Sequence, residues 1–115
     1  MSSRAQIVAE VERCGVVAII RMKDPGRLAA VVDALLAGGV RVLEVTMTVP
    51  GAVELIRGLA RTLPPEFVLG AGTVIDEQTA DAVIDAGAKF LVSPVLRLPV
   101  IALAGRRGVP IMPGC

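Results

Sequence analysis

The 115-residue chain contains no histidine, no tryptophan and no tyrosine, and only two phenylalanines. Without histidine there is no Ser-His or Cys-His nucleophile pair and no imidazole ligand for a metal. Acid–base chemistry must fall to Glu, Asp, Lys or Cys. The scarcity of aromatic rings leaves base stacking little to work with. A surplus of one charge is missing too: 12 Lys and Arg against 11 Asp and Glu leave a net +1, with the signs interspersed. Neither nucleic acid nor an anionic membrane is favoured as a partner. The two cysteines, Cys14 and Cys115, lie far apart in sequence and lack zinc-ligand spacing, so they read as reduced thiols. No signal-peptide core and no apolar run of bilayer length is present. These absences lead to the expectation of a soluble, cytoplasmic protein.

What the chain has in abundance is aliphatic side chains. The hydrophobic fraction of 54% suits a parallel sheet covered on its faces, and the length suits one domain over residues 1–115. Short β-branched runs recur at residues 15–21, 40–46, 67–70, 90–93 and 109–112. Helical periodicity fills the segments between them, at 3–14, from Asp24 to the stop at Gly38-Gly39, at 50–63, 76–86 and 98–106. In the second of these, Asp24 can cap and Pro25 takes the first helical position. Leu28, Val31, Val32, Leu35 and Leu36 then form one stripe. Returns to a strand pass through Gly38-Gly39, Gly87 and Gly108, as expected for helix ends in a left-handed turn.

This βα repeat implies a parallel sheet with right-handed crossovers. Two architectures accept it, a doubly wound five-strand sheet and the first part of a (β/α)8 barrel. Polar residues stand at the C-terminal end of each successive strand: Arg21, then Glu44 to Thr48, then Gly70-Ala71-Gly72-Thr73, then Ser93-Pro94, then Pro113-Gly114. A ring of βα loops around a barrel mouth supplies that distribution, whereas a doubly wound sheet gathers function at one switch point. The reading favours the N-terminal part, about five βα units, of a (β/α)8 barrel.

Glu44 is the most informative residue. Period-two alternation puts it on one strand face with Val40, Val42 and Thr46, opposite Leu43, Val45 and Met47. An ionised carboxylate among valines costs several kcal/mol, on the order of a desolvated ion, unless it is paired or protonated. Arg21, on the face of Val17 and Ile19, is a possible partner, either as a structural counter-ion or beside an anionic substrate. The run Gly70-Ala71-Gly72-Thr73 offers small residues for close approach of a ligand, but it lacks the rest of a nucleotide motif and reads equally as a tight turn with Thr73 capping nearby amides. Ser93-Pro94 and Met112-Pro113-Gly114 read as strand-end turns. A site with an arginine, a glutamate and threonines suits Schiff-base chemistry on a keto acid. Yet Lys89 precedes its strand, at the wrong end, and Lys23 reads as solvated loop.

Taken together, Ile19-Ile20-Arg21, the run from Gly38 to Pro50, Gly70-Ala71-Gly72-Thr73-Val74, the run from Gly87 to Pro94, and Met112-Pro113-Gly114 resemble the 2-keto-3-deoxy-6-phosphogluconate aldolase family, with its 4-hydroxy-2-oxoglutarate and phosphogalactonate relatives. The resemblance implies a (β/α)8 barrel, usually a homotrimer. It implies cleavage of a 2-keto-3-deoxy-6-phospho sugar acid to pyruvate and an aldehyde through a lysine Schiff base, with neither metal nor other cofactor. On matching positions it implies that Glu44 relays protons, that Arg21 lies near substrate and that Thr73 helps hold the pyruvyl carboxylate. Thr48 stands where some members have an arginine, and Thr48 and Pro94 complete the substrate-binding set. By the same resemblance the Schiff-base lysine belongs to a sixth strand and the phosphate site to the seventh and eighth, beyond Cys115. The 115 residues are therefore expected to be inactive unaided. The alternatives are a non-catalytic half-barrel that self-associates, and a metal-dependent aldolase on a similar barrel, which would need further carboxylates beside Glu44.

Overall fold

Ser3 opens the first helix with a reciprocal cap: its hydroxyl accepts the Gln6 N–H while the Gln6 side chain accepts the Ser3 N–H. That box satisfies two of the four N–H groups a helix start leaves orphaned. In the computed structural model, which describes residues 2–22 and 24–115, five helices alternate with five strands. They are α1 (Arg4–Cys14), β1 (Ala18–Ile20), α2 (Leu28–Ala37), β2 (Val42–Thr46), α3 (Ala52–Thr62), β3 (Val68–Gly72), α4 (Glu77–Ala86), β4 (Leu91–Ser93), α5 (Leu98–Arg106) and β5 (Ile111–Pro113). Lys23, read from sequence as solvated, lies outside the described residues.

All four strand pairings are parallel, and the spatial order is β1-β2-β3-β4-β5. Sequential order with no switch point removes the doubly wound alternative, since that topology must reverse its winding part-way across the sheet. The chain forms successive units of a barrel wall.

The two faces of the sheet have separate cores. Leu43 and Val45 of β2 and Leu69 and Ala71 of β3 point toward the helices, where Leu28, Val32, Ile56, Leu59, Val83, Val100 and Leu103 cover them. Val42, Val68 and Phe90 point the other way and meet Ile7 of α1. Helix α1 thus covers the N-terminal end of the concave face with Ile7 and Val11. The expected stripe on α2 is present: Leu28 and Val32 are buried, and Val31, Leu35 and Leu36 pack against the same core.

Some boundaries differ from the sequence reading. Asp24 does accept an N–H, from Gly26 at 2.9 Å, but a 3-10 turn over Pro25–Arg27 intervenes and α2 begins only at Leu28. An Asx turn competes with direct helix entry at such a residue. The first strand is shorter than expected, with Ala18–Ile20 pairing with β2. The third is longer: Gly70, Ala71 and Gly72 are strand, paired with Glu44, Val45 and Thr46. Ladder hydrogen bonds to β2 override the turn preference of the two glycines. Gly39, Gly87 and Gly108 all have positive φ, as the returns to strand required.

Candidate active site

The register of β2 on β3 builds the centre of the site. Glu44 and Thr46 follow Val42 on the concave face, and Gly70 and Gly72 follow Val68 on the same face. A β-carbon on Gly70 would collide with the Phe90 ring, and one on Gly72 would collide with the Glu44 carboxylate. Each glycine leaves the space that one side chain of a neighbouring strand fills. The Phe90 ring, fully buried, lies below, and the acid lies one residue pair nearer the C-terminal ends of the strands.

Glu44 is 7% exposed, and among the described residues no hydrogen bond or ion pair reaches its carboxylate. Burial pushes its pKa above the ordinary glutamate value, and the Arg21 guanidinium pulls it partly back. The order of these effects follows from distance and solvent. Arg21 is exposed just past β1 and makes no contact within 4.0 Å of the acid, so water screens its attraction to about 1 kcal/mol or less. Desolvation costs the charged form several kcal/mol, on the order seen for buried ions. Arg21 is therefore a nearby charge rather than the paired counter-ion that the sequence allowed.

Toward the mouth, three hydroxyls converge. Thr46 Oγ1 lies 2.9 Å from Thr73 Oγ1 and 3.3 Å from Thr48 Oγ1. Thr46 is 1% exposed, Thr73 half-buried and Thr48 exposed, so the trio runs from the interior to solvent. Thr73 has φ 59°, a left-handed conformation that a β-branched residue adopts only at a cost of about 1–3 kcal/mol. Its hydroxyl is held by Thr46 instead of capping a helix; Asp76 caps α4 by accepting the Thr79 N–H at 2.7 Å. Thr73 thus stands in the tight turn after β3 that the sequence suggested, while the cap of α4 comes from Asp76.

Pro94 sits apart from this trio, after β4, and its carbonyl fills the space that a β-carbon on Gly114 would take. The Gly114 N–H donates to Ser93 O at 2.7 Å. Ser93, 3% exposed, donates to Val95 O at 2.9 Å and fixes the start of the β4–α5 loop. The structure thus groups Thr48 and Thr73 around Thr46, which shares a strand face with Glu44, sets Arg21 close enough to influence Glu44, and places Pro94 two strands from β2. Thr46 and Phe90 were not assigned to the site from sequence. Alternation had already placed Thr46 on the face of Glu44, which was the available signal. No sequence pattern announces a ring that packs on a glycine of the next strand.

Lys89 lies at the N-terminal end of β4, where its N–H bonds to Leu69 O, and it borders a hollow shared with Ser2, Ile7 and Glu66. That is the α1 end of the sheet, opposite the mouth. Among the described residues no three Cys, Asp or Glu side chains are grouped as metal ligands, and no helix is long and apolar enough to cross a membrane.

Comparison with known proteins gives a consistent result. The sequence model of the KDPG and KHG aldolase family matches residues 7–115. The KHG/KDPG aldolase of Escherichia coli strain K12 is 42% identical over 99 residues, which are 86% of this chain and 46% of that protein. A crystal structure of KDPG aldolase from Legionella pneumophila, with pyruvate captured as a covalent carbinolamine, superposes with a TM-score of 0.86 at 33% identity, over 96% of this chain and 53% of that one. A cube-shaped cage designed by fusing symmetric oligomeric domains matches 86% of this chain with a TM-score of 0.78 at 28% identity. The chain spans about half the length of the curated relatives it matches.

Proposed function

This chain belongs to the KDPG and KHG aldolase family, and we propose that it provides the proton-relaying and keto-acid-binding half of a class I aldolase barrel. The substrate in this reading is a 2-keto-3-deoxy-6-phospho sugar acid, cleaved to pyruvate and an aldehyde such as glyceraldehyde 3-phosphate. The observation that carries the reading is Glu44, buried over Gly72 without an ion-pair partner and with its pKa raised.

A carboxyl whose pKa is raised by burial can give up its proton in one step and recover it in another. A lysine amine adds to the substrate C2 carbonyl; Glu44 protonates the carbinolamine hydroxyl, which leaves as water to give the imine. The Glu44 carboxylate then takes the proton of the C4 hydroxyl as the C3–C4 bond breaks, the electron pair passing into the imine to form an enamine. Returning that proton to C3 gives the pyruvyl imine, and water releases pyruvate. The hydroxyls of Thr73 and Thr48 suit the pyruvyl carboxylate, the Arg21 guanidinium balances its charge, and Pro94 shapes the far wall.

The chain has two lysines, Lys23 and Lys89. Lys89 lies at the end of the sheet opposite the mouth, so the nucleophile in this reading comes from a sixth βα unit that these 115 residues do not contain. Borohydride reduction in the presence of pyruvate tests this. The 115 residues alone should trap no adduct, whereas a chain carrying the sixth unit should gain one reduced pyruvyl group, and an adduct on Lys23 or Lys89 would overturn the assignment. The enzyme is read as a cytoplasmic homo-oligomer, a trimer in its simplest form. A second reading, a non-catalytic half-barrel that associates with itself, is favoured by Ile19 and Met112, exposed on the edge strands β1 and β5. A stable oligomer that traps no pyruvate, even with the sixth unit present, would support it instead.

A further inference from the structure

The Thr46 hydroxyl is the middle member of a chain of three. Thr46 is 1% exposed, and among the described residues its Oγ1 meets two partners, Thr73 Oγ1 at 2.9 Å and Thr48 Oγ1 at 3.3 Å. A threonine hydroxyl carries one proton and two acceptor lone pairs. If Thr46 accepted from both neighbours, its own proton would be buried without an acceptor, a loss that folded proteins avoid. Thr46 therefore gives its proton to one neighbour and accepts from the other. One end of the chain keeps a proton free for a ligand, and the other end does not.

The backbone fixes where the Thr73 end lies. The peptides on either side of Thr73 are tied to different strands: Gly72 O accepts the Met47 N–H at 2.9 Å, and the Val74 N–H donates to Val92 O at 3.1 Å. Between these anchors Thr73 is held at φ 59°, and its branched side chain has little rotamer freedom. What is left to set is the rotation of its O–H bond. Thr48 is exposed, so water serves its hydroxyl in either direction.

An ionised carboxylate at the mouth accepts hydrogen bonds and donates none. It selects the arrangement in which Thr48 donates to Thr46 and Thr46 donates to Thr73. Each hydroxyl that accepts a hydrogen bond becomes a stronger donor in its turn. We propose that Thr46 is a positioning residue for keto-acid binding: by donating to Thr73 Oγ1 it turns the Thr73 proton outward onto the substrate carboxylate. Of the two hydroxyls that suit this carboxylate, Thr73 then supplies the free proton and Thr48 acts through the chain. The inference rests on the keto-acid reading of the site and adds to it a residue that touches no substrate.

Steady-state cleavage kinetics of the complete enzyme test it. Thr46→Val keeps the branched shape and loses the hydroxyl. It should fold with an unchanged far-UV circular dichroism spectrum, because Thr73 and Thr48 both reach water. KM for the keto acid should rise about fivefold, the contribution of one neutral hydrogen bond. The value of kcat should stay within about twofold, since the contact is the same before and during the reaction. Thr46→Ser returns the donor and should restore KM. Thr73→Val removes the group on which Thr46 acts, so adding Thr46→Val to it should change KM less than about twofold. A wild-type KM in the folded Thr46→Val protein overturns the assignment. So does a fivefold rise that persists beside Thr73→Val or resists Thr46→Ser. A shifted pH profile of kcat would trace the effect to Glu44 on the same strand face, and overturns it too. These outcomes leave the aldolase reading intact, whereas a complete wild-type enzyme that neither cleaves the keto acid nor traps pyruvate with borohydride overturns both.

Discussion

The Glu44 carboxylate occupies the space over Gly72 that a β-carbon would take. The two residues lie on adjacent parallel strands, with Glu44 paired to Gly70 and its side chain reaching toward the pair above, Thr46 and Gly72. Gly72 ends β3, where the absence of a side chain leaves room for a neighbour's. Here it gives the acid a fixed seat among apolar neighbours.

Gly72→Ala should displace Glu44, because the β-carbon collides with the carboxylate. Overpacking of this kind costs about 1–3 kcal/mol of stability. The displacement should lower kcat about 100-fold or more, since misplacing a reacting group by an ångström has that effect. Urea unfolding and pyruvate release by the complete enzyme measure the two effects. Near-normal kcat in a folded Gly72→Ala protein would disprove the seat.

The raised pKa of Glu44 makes stability depend on pH in a defined sense. Its folded value lies above the unfolded one, so between the two the folded state binds more protons than the unfolded, and stability falls as pH rises through that window. Each unit of displacement corresponds to about 1.4 kcal/mol. Glu44→Gln should abolish this component and flatten the stability profile above the ordinary glutamate value, as denaturant titrations would show. It should also reduce aldolase turnover about 100-fold or more by removing the proton carrier.

Thr73 combines strain with a hydroxyl in the mouth. Thr73→Gly should relieve the left-handed strain, which offsets the added chain entropy and leaves stability within about 1 kcal/mol of wild type. Loss of the hydroxyl should raise KM for the keto acid about tenfold, the value of one hydrogen bond to a charged group. Equilibrium unfolding and steady-state kinetics on the same protein reveal the split. Unchanged KM would remove Thr73 from the substrate site.

Lys89→Met should leave kcat and KM within about twofold of wild type, as substitutions far from reacting groups do. Initial-rate kinetics of the complete enzyme checks this. A collapse in turnover would mean that the nucleophile had been sought at the wrong end of the sheet.

The elements were largely legible because they are local. Apolar spacing on α2, the returns at Gly39, Gly87 and Gly108, and the β-branched runs each express a preference of a few consecutive residues. Glu44 stood out for the same reason, as an acid in an alternating strand whose burial follows from its own neighbours. Where local signals compete, the strand end is less legible: the β-branched run stops at Gly70, and only pairing with β2 carries the strand on through Ala71 and Gly72. The Asx turn at Asp24 likewise delayed α2 by three residues.

Sequence by itself determined that this chain is a parallel βα repeat with an acid on an apolar strand face and hydroxyls at the strand ends, because period, capping and strand polarity are encoded within single elements. Tertiary structure decided which residues of different elements touch. The Thr46–Thr73 hydroxyl pair spans 27 positions, the Phe90 ring fits onto Gly70, and Arg21 acts on Glu44 across solvent instead of pairing with it. Contacts between elements depend on register, twist and the volume that neighbours leave unfilled, and those quantities exist only once the strands are side by side.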